Sequence, residues 1–132
     1  MSQQSDNFKI ELILKIFLEE FGEGGFETEI VYFYRKIELP FIPQIHSEIK
    51  CRLHPDDYGE HPFHVRYVTT KLDDEYKLTD RISVTTEDTY TLKKFLYEWN
   101  SNSLDELIKL CTQNGWFVTV DGEMYKGWHN SH

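Results

Sequence analysis

Four residues near the middle of the chain have the chemistry to hold a metal ion: Cys51, His54, His61 and His64. Their order is Cys-x2-His, six residues, His-x2-His. A tetrahedral zinc site takes four such ligands. Three features weigh against that use. The middle spacing is shorter than the ~12 residues of common zinc fingers. No glycine knuckle follows the first pair. Strand alternation also turns Cys51 inward, where free cysteine serves as a small hydrophobe. The expectation is no metal and no cofactor. HPDDYGEHPFH (54–64) then reads as a solvated connector, with Pro55 and Pro62 stiffening its ends and Asp56-Asp57 making the turn. A catalytic histidine in this stretch would need a carboxylate such as Asp56 or Glu60 to fix its tautomer.

Other chemistry is thin. FGEGG (21–25) lacks the following helix and the Lys-Ser/Thr of a phosphate loop. Neither G-x-S-x-G nor H-E-x-x-H occurs. Asp56-Asp57 and Asp73-Asp74 are adjacent acids in turns, where aspartate is favoured for its local hydrogen bonding. No residue is assigned a catalytic role.

The elements that would position these side chains are mostly strands. In FKIELILKIFLEE, Phe8, Ile10, Leu12, Leu14, Ile16 and Leu18 recur at period two, with Ile13 and Phe17 breaking the polar alternate row. On a helical wheel the same residues point all round, so the strand template fits better. FGEGG is a turn into FETEIVYFYRKIEL, and the pair reads as one long antiparallel hairpin. The apolar run 30–34 suggests a strand covered on both faces. Pro40 and Pro43 end it. SEIKCRL alternates, with Ser47, Ile49, Cys51 and Leu53 on one face. Phe63, Val65 and Tyr67 share a face of the next strand. LDDE (72–75) turns the chain, and Tyr76, Leu78, Ile82 and Val84 continue the alternation. Asp80 falls on the apolar side, which calls for a bulge or a hydrogen-bonded partner.

The period then changes. Leu92, Phe95, Leu96 and Trp99 mark a helix face, and NSNS breaks it. Ser103 and Glu106 form a capping box before a second helix. Leu104, Leu107, Ile108 and Cys111 are its buried stripe, and Gly115 its C-terminal stop. Asp121-Gly122 is a type I′ hairpin signal between two short strands. Trp99 and Trp116 fall on core faces. Tyr32, Tyr34, Tyr58, Tyr90, Tyr97, Tyr125 and Trp128 are too many for one small core, and exposed aromatics beside acids suit a protein-binding surface.

Composition narrows the class. Of 132 residues, 39% are hydrophobic and 15% aromatic, which excludes a disordered chain. No apolar run reaches the ~18–20 residues of a membrane span. MSQQSDNF has neither a basic nor an apolar segment of a signal peptide. Two cysteines are too few for a secreted disulfide scaffold, and a cytoplasmic setting with reduced thiols follows. Net charge is −9, with 23 acids against 14 Lys and Arg. That disfavours direct nucleic-acid binding and anionic membranes, and suits a basic protein partner.

The stretch RKIELPFIPQIHSEIKCR resembles a pattern in small bacterial proteins, in which a strand ending L-P-F-x-P-x-x-G-D leads into the next strand. Such proteins often finish with a helix ending N-G-W, as LIKLCTQNGW does here. The chain departs from the pattern where Gly-Asp is replaced by His46-Ser47. The resemblance implies a bacterial or phage β-rich domain and carries no activity or site residues.

The fold expected is α+β: a loose stretch 1–7, then one domain over 8–132. That domain is an antiparallel sheet of about five to seven strands, with one or two C-terminal helices on one face. The function expected is a small acidic interaction module without enzymatic activity, of inhibitor, immunity or anti-defence type. The alternatives are a metal-supported domain or small hydrolase using Cys51, His54, His61 and His64, and a small-ligand binder in a curled sheet.

Overall fold

The computed structural model describes residues 7–22, 25–55, 59–121 and 123–124. Two long strands come first, β1 (Phe8–Gly22) and β2 (Gly25–Leu39). Then follow β3 (Glu48–Cys51), β4 (His61–Leu72) and β5 (Leu78–Thr91). Two helices, α1 (Leu92–Glu98) and α2 (Leu104–Gln113), precede β6 (Phe117–Val120) and β7 (Glu123–Met124). The sheet order is β3-β4-β5-β1-β2-β6-β7. The fold is α+β, as the sequence implies. One pairing was not foreseen: β1 and β5 run parallel, while the other pairs are antiparallel.

Period two in β1 becomes a two-faced strand. Ile10, Leu12, Leu14, Ile16 and Leu18 are at most 3% exposed and face the helices. Val31 and Phe33 of β2, Phe63 and Val65 of β4, and Ile82 and Val84 of β5 continue that layer. Helix α1 packs over β1 and β5, and α2 over β6. Phe95, Trp99, Leu107, Ile108 and Cys111 close the core from the helix side. Leu104 is only half-buried, so the stripe of α2 starts one turn later than its spacing suggests.

Both helices end in a left-handed residue. After α1, Asn100 (φ 51°) lets Ser101 N–H donate to Leu96 O at 2.9 Å. After α2, Gly115 (φ 97°) lets Trp116 N–H donate to Cys111 O at 3.0 Å. These are Schellman closures, which satisfy carbonyls the helix leaves over. At the front of α2, Ser103 Oγ accepts from Glu106 N–H at 3.2 Å, half of the expected capping box. Arg35 ties the end of α2 to β2: its Nη1 donates to Asn114 O at 2.7 Å and its guanidinium lies 5.5 Å over the Trp116 ring.

Several expectations are corrected. Tyr67 does not share a face with Phe63 and Val65. Val65 pairs Thr86 while Tyr67 pairs Thr85, so Arg66 is an extra residue on β4. This bulge inverts the side-chain parity beyond it. Tyr67 turns to solvent and Val68 takes the inner position opposite Val84. Tyr76 is no strand residue either. It sits at φ 64° in a wider turn, where Asp73 Oδ1 accepts from Glu75 and Lys77 N–H. The ladder shifts again between Thr70 and Leu72, opposite Asp80, whose side chain lies outside the described residues. The run 30–34 is covered on one face only: Tyr32 and Tyr34 are half-buried on the side away from the helices. Finally, His46 adopts φ 73°. The backbone there needs a left-handed residue, and histidine accepts it at a cost.

Candidate functional site

The four sequence-designated ligands are divided between the two faces of the sheet edge. In the β3–β4 ladder Cys51 pairs His61 and Glu48 pairs His64, so Cys51 and His64 lie on opposite faces. His54 is 2% exposed and its Nε2 is 2.7 Å from Trp99 O, closing the end of α1. The His61 ring packs on Trp99 with centroids 4.3 Å apart. The expectation of a wholly solvated connector is therefore corrected at both ends: His54 and His61 are anchors onto Trp99. Asp56-Asp57 and Tyr58 lie outside the described residues. Among the described residues, no group of three His, Cys, Asp or Glu is placed to hold a metal ion.

His64 has the carboxylate partner that a working histidine needs, and it is Asp88 rather than Asp56 or Glu60. Nδ1 is 2.6 Å from Asp88 Oδ1, and the His64 backbone N–H donates to Oδ2 at 3.2 Å. The cause is local. The β4–β5 ladder begins only at Val65, so His64, paired with Glu48 of β3, has no ladder partner on the β5 side and Asp88 supplies the acceptor there. On the other side, Nε2 is 3.4 Å from Glu48 Oε1. The bond to Asp88 pushes the imidazole above its ordinary pKa of 6.5, with both carboxylates adding charge attraction. Burial raises Asp88 above the ordinary carboxylate value, and the His64 contact offsets this only in part. Both ring nitrogens are thus directed to acids from the two flanking strands. That arrangement favours the imidazolium and suits a cross-strand tie better than a base with an open lone pair. A cleft of about 440 Å³ adjoins it, lined in part by Phe17, His46, Arg66 and Glu87.

The second candidate is the sheet face opposite the helices. Ile13, Lys15 and Phe17 of β1 stand there, Ile13 and Phe17 being the two residues that interrupted the polar row in the sequence. Tyr32 and Tyr34 stack at 5.8 Å with 15° between their planes, and Phe117 of β6 lies 5.8 Å from Tyr34. Lys15 Nζ sits 5.1 Å over Phe17 and 5.8 Å over Tyr32. It also pairs with Glu87 at 3.3 Å, and Glu87 meets Arg66 at 3.4 Å. Tyr67, swung outward by the bulge, is 53% exposed, and Phe117 47%. Among the described residues no element covers this face. Aromatics fixed by each other and by a shared ion pair lose little freedom on contact, which is the usual make-up of a binding hot spot.

No helix among the described residues is long and apolar enough to cross a membrane. Compared with protein families, curated proteins and solved structures, the chain shows no match in any of the three.

Proposed function

We propose that this is a cytoplasmic, non-enzymatic interaction module that binds another protein on its uncovered sheet face, an inhibitor of immunity or anti-defence type being its concrete form. The observation that supports this is the row Phe17, Tyr32, Tyr34 and Phe117 braced by Lys15. The net charge of −9 adds long-range attraction for a basic partner and opposes nucleic acid and anionic lipid. The metal or hydrolase alternative has less support, since His54 and His61 are committed to Trp99 and His64 to two carboxylates. The clefts at the sheet margin are open rather than enclosed, which gives a small-ligand reading less to stand on.

The test compares capture by the native protein with capture by Tyr34→Ser/Phe117→Ser and by Tyr97→Ser on α1. One protein retained by the native chain and the Tyr97 variant, and weakened about 30-fold or more by the face variant, is the expected result. Its association rate should fall steeply with salt, as screening sets in beyond ~8–10 Å. Equal retention by all three forms would remove the face from the account.

A further inference from the structure

β2 is longer than the strand that covers its outer edge. β6 pairs only with Val31–Tyr34 of β2, yet β2 continues to Leu39. The chain bends at Pro40 and Phe41. Among the described residues no strand pairs with Arg35 to Leu39 on that side, and only the end of α2 reaches it, at the Arg35 side chain. The open lane therefore has five positions, and its centre is Ile37.

The direction of the backbone groups follows from Ile30. Its C=O accepts from Asp121 N–H and its N–H donates to the Asp121 carboxylate, so it faces the β6–β7 hairpin. The β1–β2 register is unbroken from Phe8 to Gly22. Alternation then turns the N–H and C=O of Lys36 and Glu38 into the open lane. Arg35, Ile37 and Leu39 bond towards β1 instead.

The geometry points to a second copy of this chain as the occupant, pairing β2 with β2 antiparallel about a two-fold axis at Ile37. Lys36 then stands opposite Glu38 of the other copy, and the reverse, as hydrogen-bonded pairs. Ile37 meets its own counterpart, and Arg35 meets Leu39. An isologous contact must be self-complementary, and this register is. The charges extend the match. Within one copy Lys9 is opposite Glu38 and Glu11 opposite Lys36. Across the join the outer face reads Lys9, Glu38, then Lys36 and Glu11 of the second copy, alternating in sign over four strands. On the inner face, half-buried Ile37 and Leu39, which pack against the core, gain cover. The lane also ends where it must. Pro40 of one copy falls opposite Tyr34 of the other, where β6 begins to fill the edge, and the chain has already bent away there. The contact runs along the β2 edge and adjoins the aromatic face only at Tyr34 and Phe117.

The contact is small, below the ~1,200 Å² of stable complexes, so association belongs in the roughly micromolar-to-millimolar range. Sedimentation of the whole chain over that range should show a reversible dimer. Lys36→Glu alone and Glu38→Lys alone should each weaken it about tenfold or more, because like charges then oppose one another at both pairs. A mixture of the two variants should dimerise again, since each supplies the charge the other lacks. Repulsion created inside one copy, against Glu11 or Lys9, is the same with or without the partner variant, so recovery reports the contact between copies. Amide exchange in the native protein gives a separate readout. Lys36 and Glu38 should become protected as concentration rises, whereas Tyr32 and Tyr34 stay protected throughout. A monomer at all concentrations, a dimer indifferent to both substitutions, or no recovery on mixing would each overturn the proposal.

Discussion

Replacing Gly115 by alanine should cost about 2–4 kcal/mol, and roughly half of that should depend on a residue 80 positions away in the chain, Arg35. Two terms make up the cost. Gly115 has φ 97°, and an L side chain held in the left-handed region costs about 1–2 kcal/mol. A Cβ there would also stand 3.3 Å from Arg35 Nη2, so the guanidinium must move. Moving it weakens the 2.7 Å bond to Asn114 O and the stacking over Trp116. Each is worth about 0.5–1 kcal/mol at a partly solvated position. In an Arg35→Met background there is no guanidinium to displace, and only the conformational term of about 1–2 kcal/mol should remain. Urea unfolding of the native protein, both single variants and the double variant measures the coupling, provided the m-values agree. The expected interaction term is about 1–2 kcal/mol. Additivity within ~0.3 kcal/mol would mean that Arg35 does not close the end of α2. A cost under ~0.5 kcal/mol for Gly115→Ala would mean that α2 does not end in a left-handed residue.

Further outcomes follow from other positions. His46→Gly should raise stability by about 0.5–1 kcal/mol, as relief of left-handed strain of ~1–2 exceeds glycine's chain-entropy cost of ~0.5–1; a lowered melting temperature would refute it. Ile108→Ala should cost about 2–5 kcal/mol and Lys109→Ala under ~0.5 in a urea melt, because Ile108 is fully buried and Lys109 exposed. His64 should titrate above 6.5 by NMR and move down in Asp88→Asn. A raised folded-state pKa makes its contribution to stability complete below 6.5 and lost as pH rises through the folded value. Stability that rises over that interval through this residue would contradict the ion pairs drawn for it. Purified protein should carry no stoichiometric zinc and melt unchanged in EDTA; one equivalent of zinc lost together with stability in His61→Ala would reinstate a metal site.

Much of the fold was legible because one periodicity governs each segment. The five inner residues of β1 alternate without interruption, and Ile13 and Phe17, which look like exceptions, belong to a second apolar surface on the other face. The capping serine and the stop glycine of α2 are local devices and were readable as such. What failed was non-local. A bulge at Arg66 reverses parity for Tyr67 and Val68, and no residue type at that point announces it. The β1–β5 parallel pair depends on the path between strands, not on either strand's pattern. The Asp88 partnership with His64 had a visible trace: Asp88 falls on the parity of Ile82, Val84 and Thr86, and an acid in an apolar row needs a partner. The nearer acids drew attention because they were close in sequence, whereas His64 needed an acceptor where β4 leaves β5.

The parallel β1–β5 pairing also orders the events of biosynthesis. β1 and β2 can close as a hairpin early, since only residues 23–24 separate them. The other edge of β1, and the whole inner row from Ile10 to Leu18, waits for β5 and for both helices, which are encoded far downstream. At ~5–20 residues per second, a nascent hairpin stands with that apolar row uncovered for on the order of ten seconds. Contacts of such sequence separation also slow refolding of the finished chain. The interval in which this protein is most exposed to aggregation, and most in need of a chaperone, is therefore set by the place of β5 in the gene.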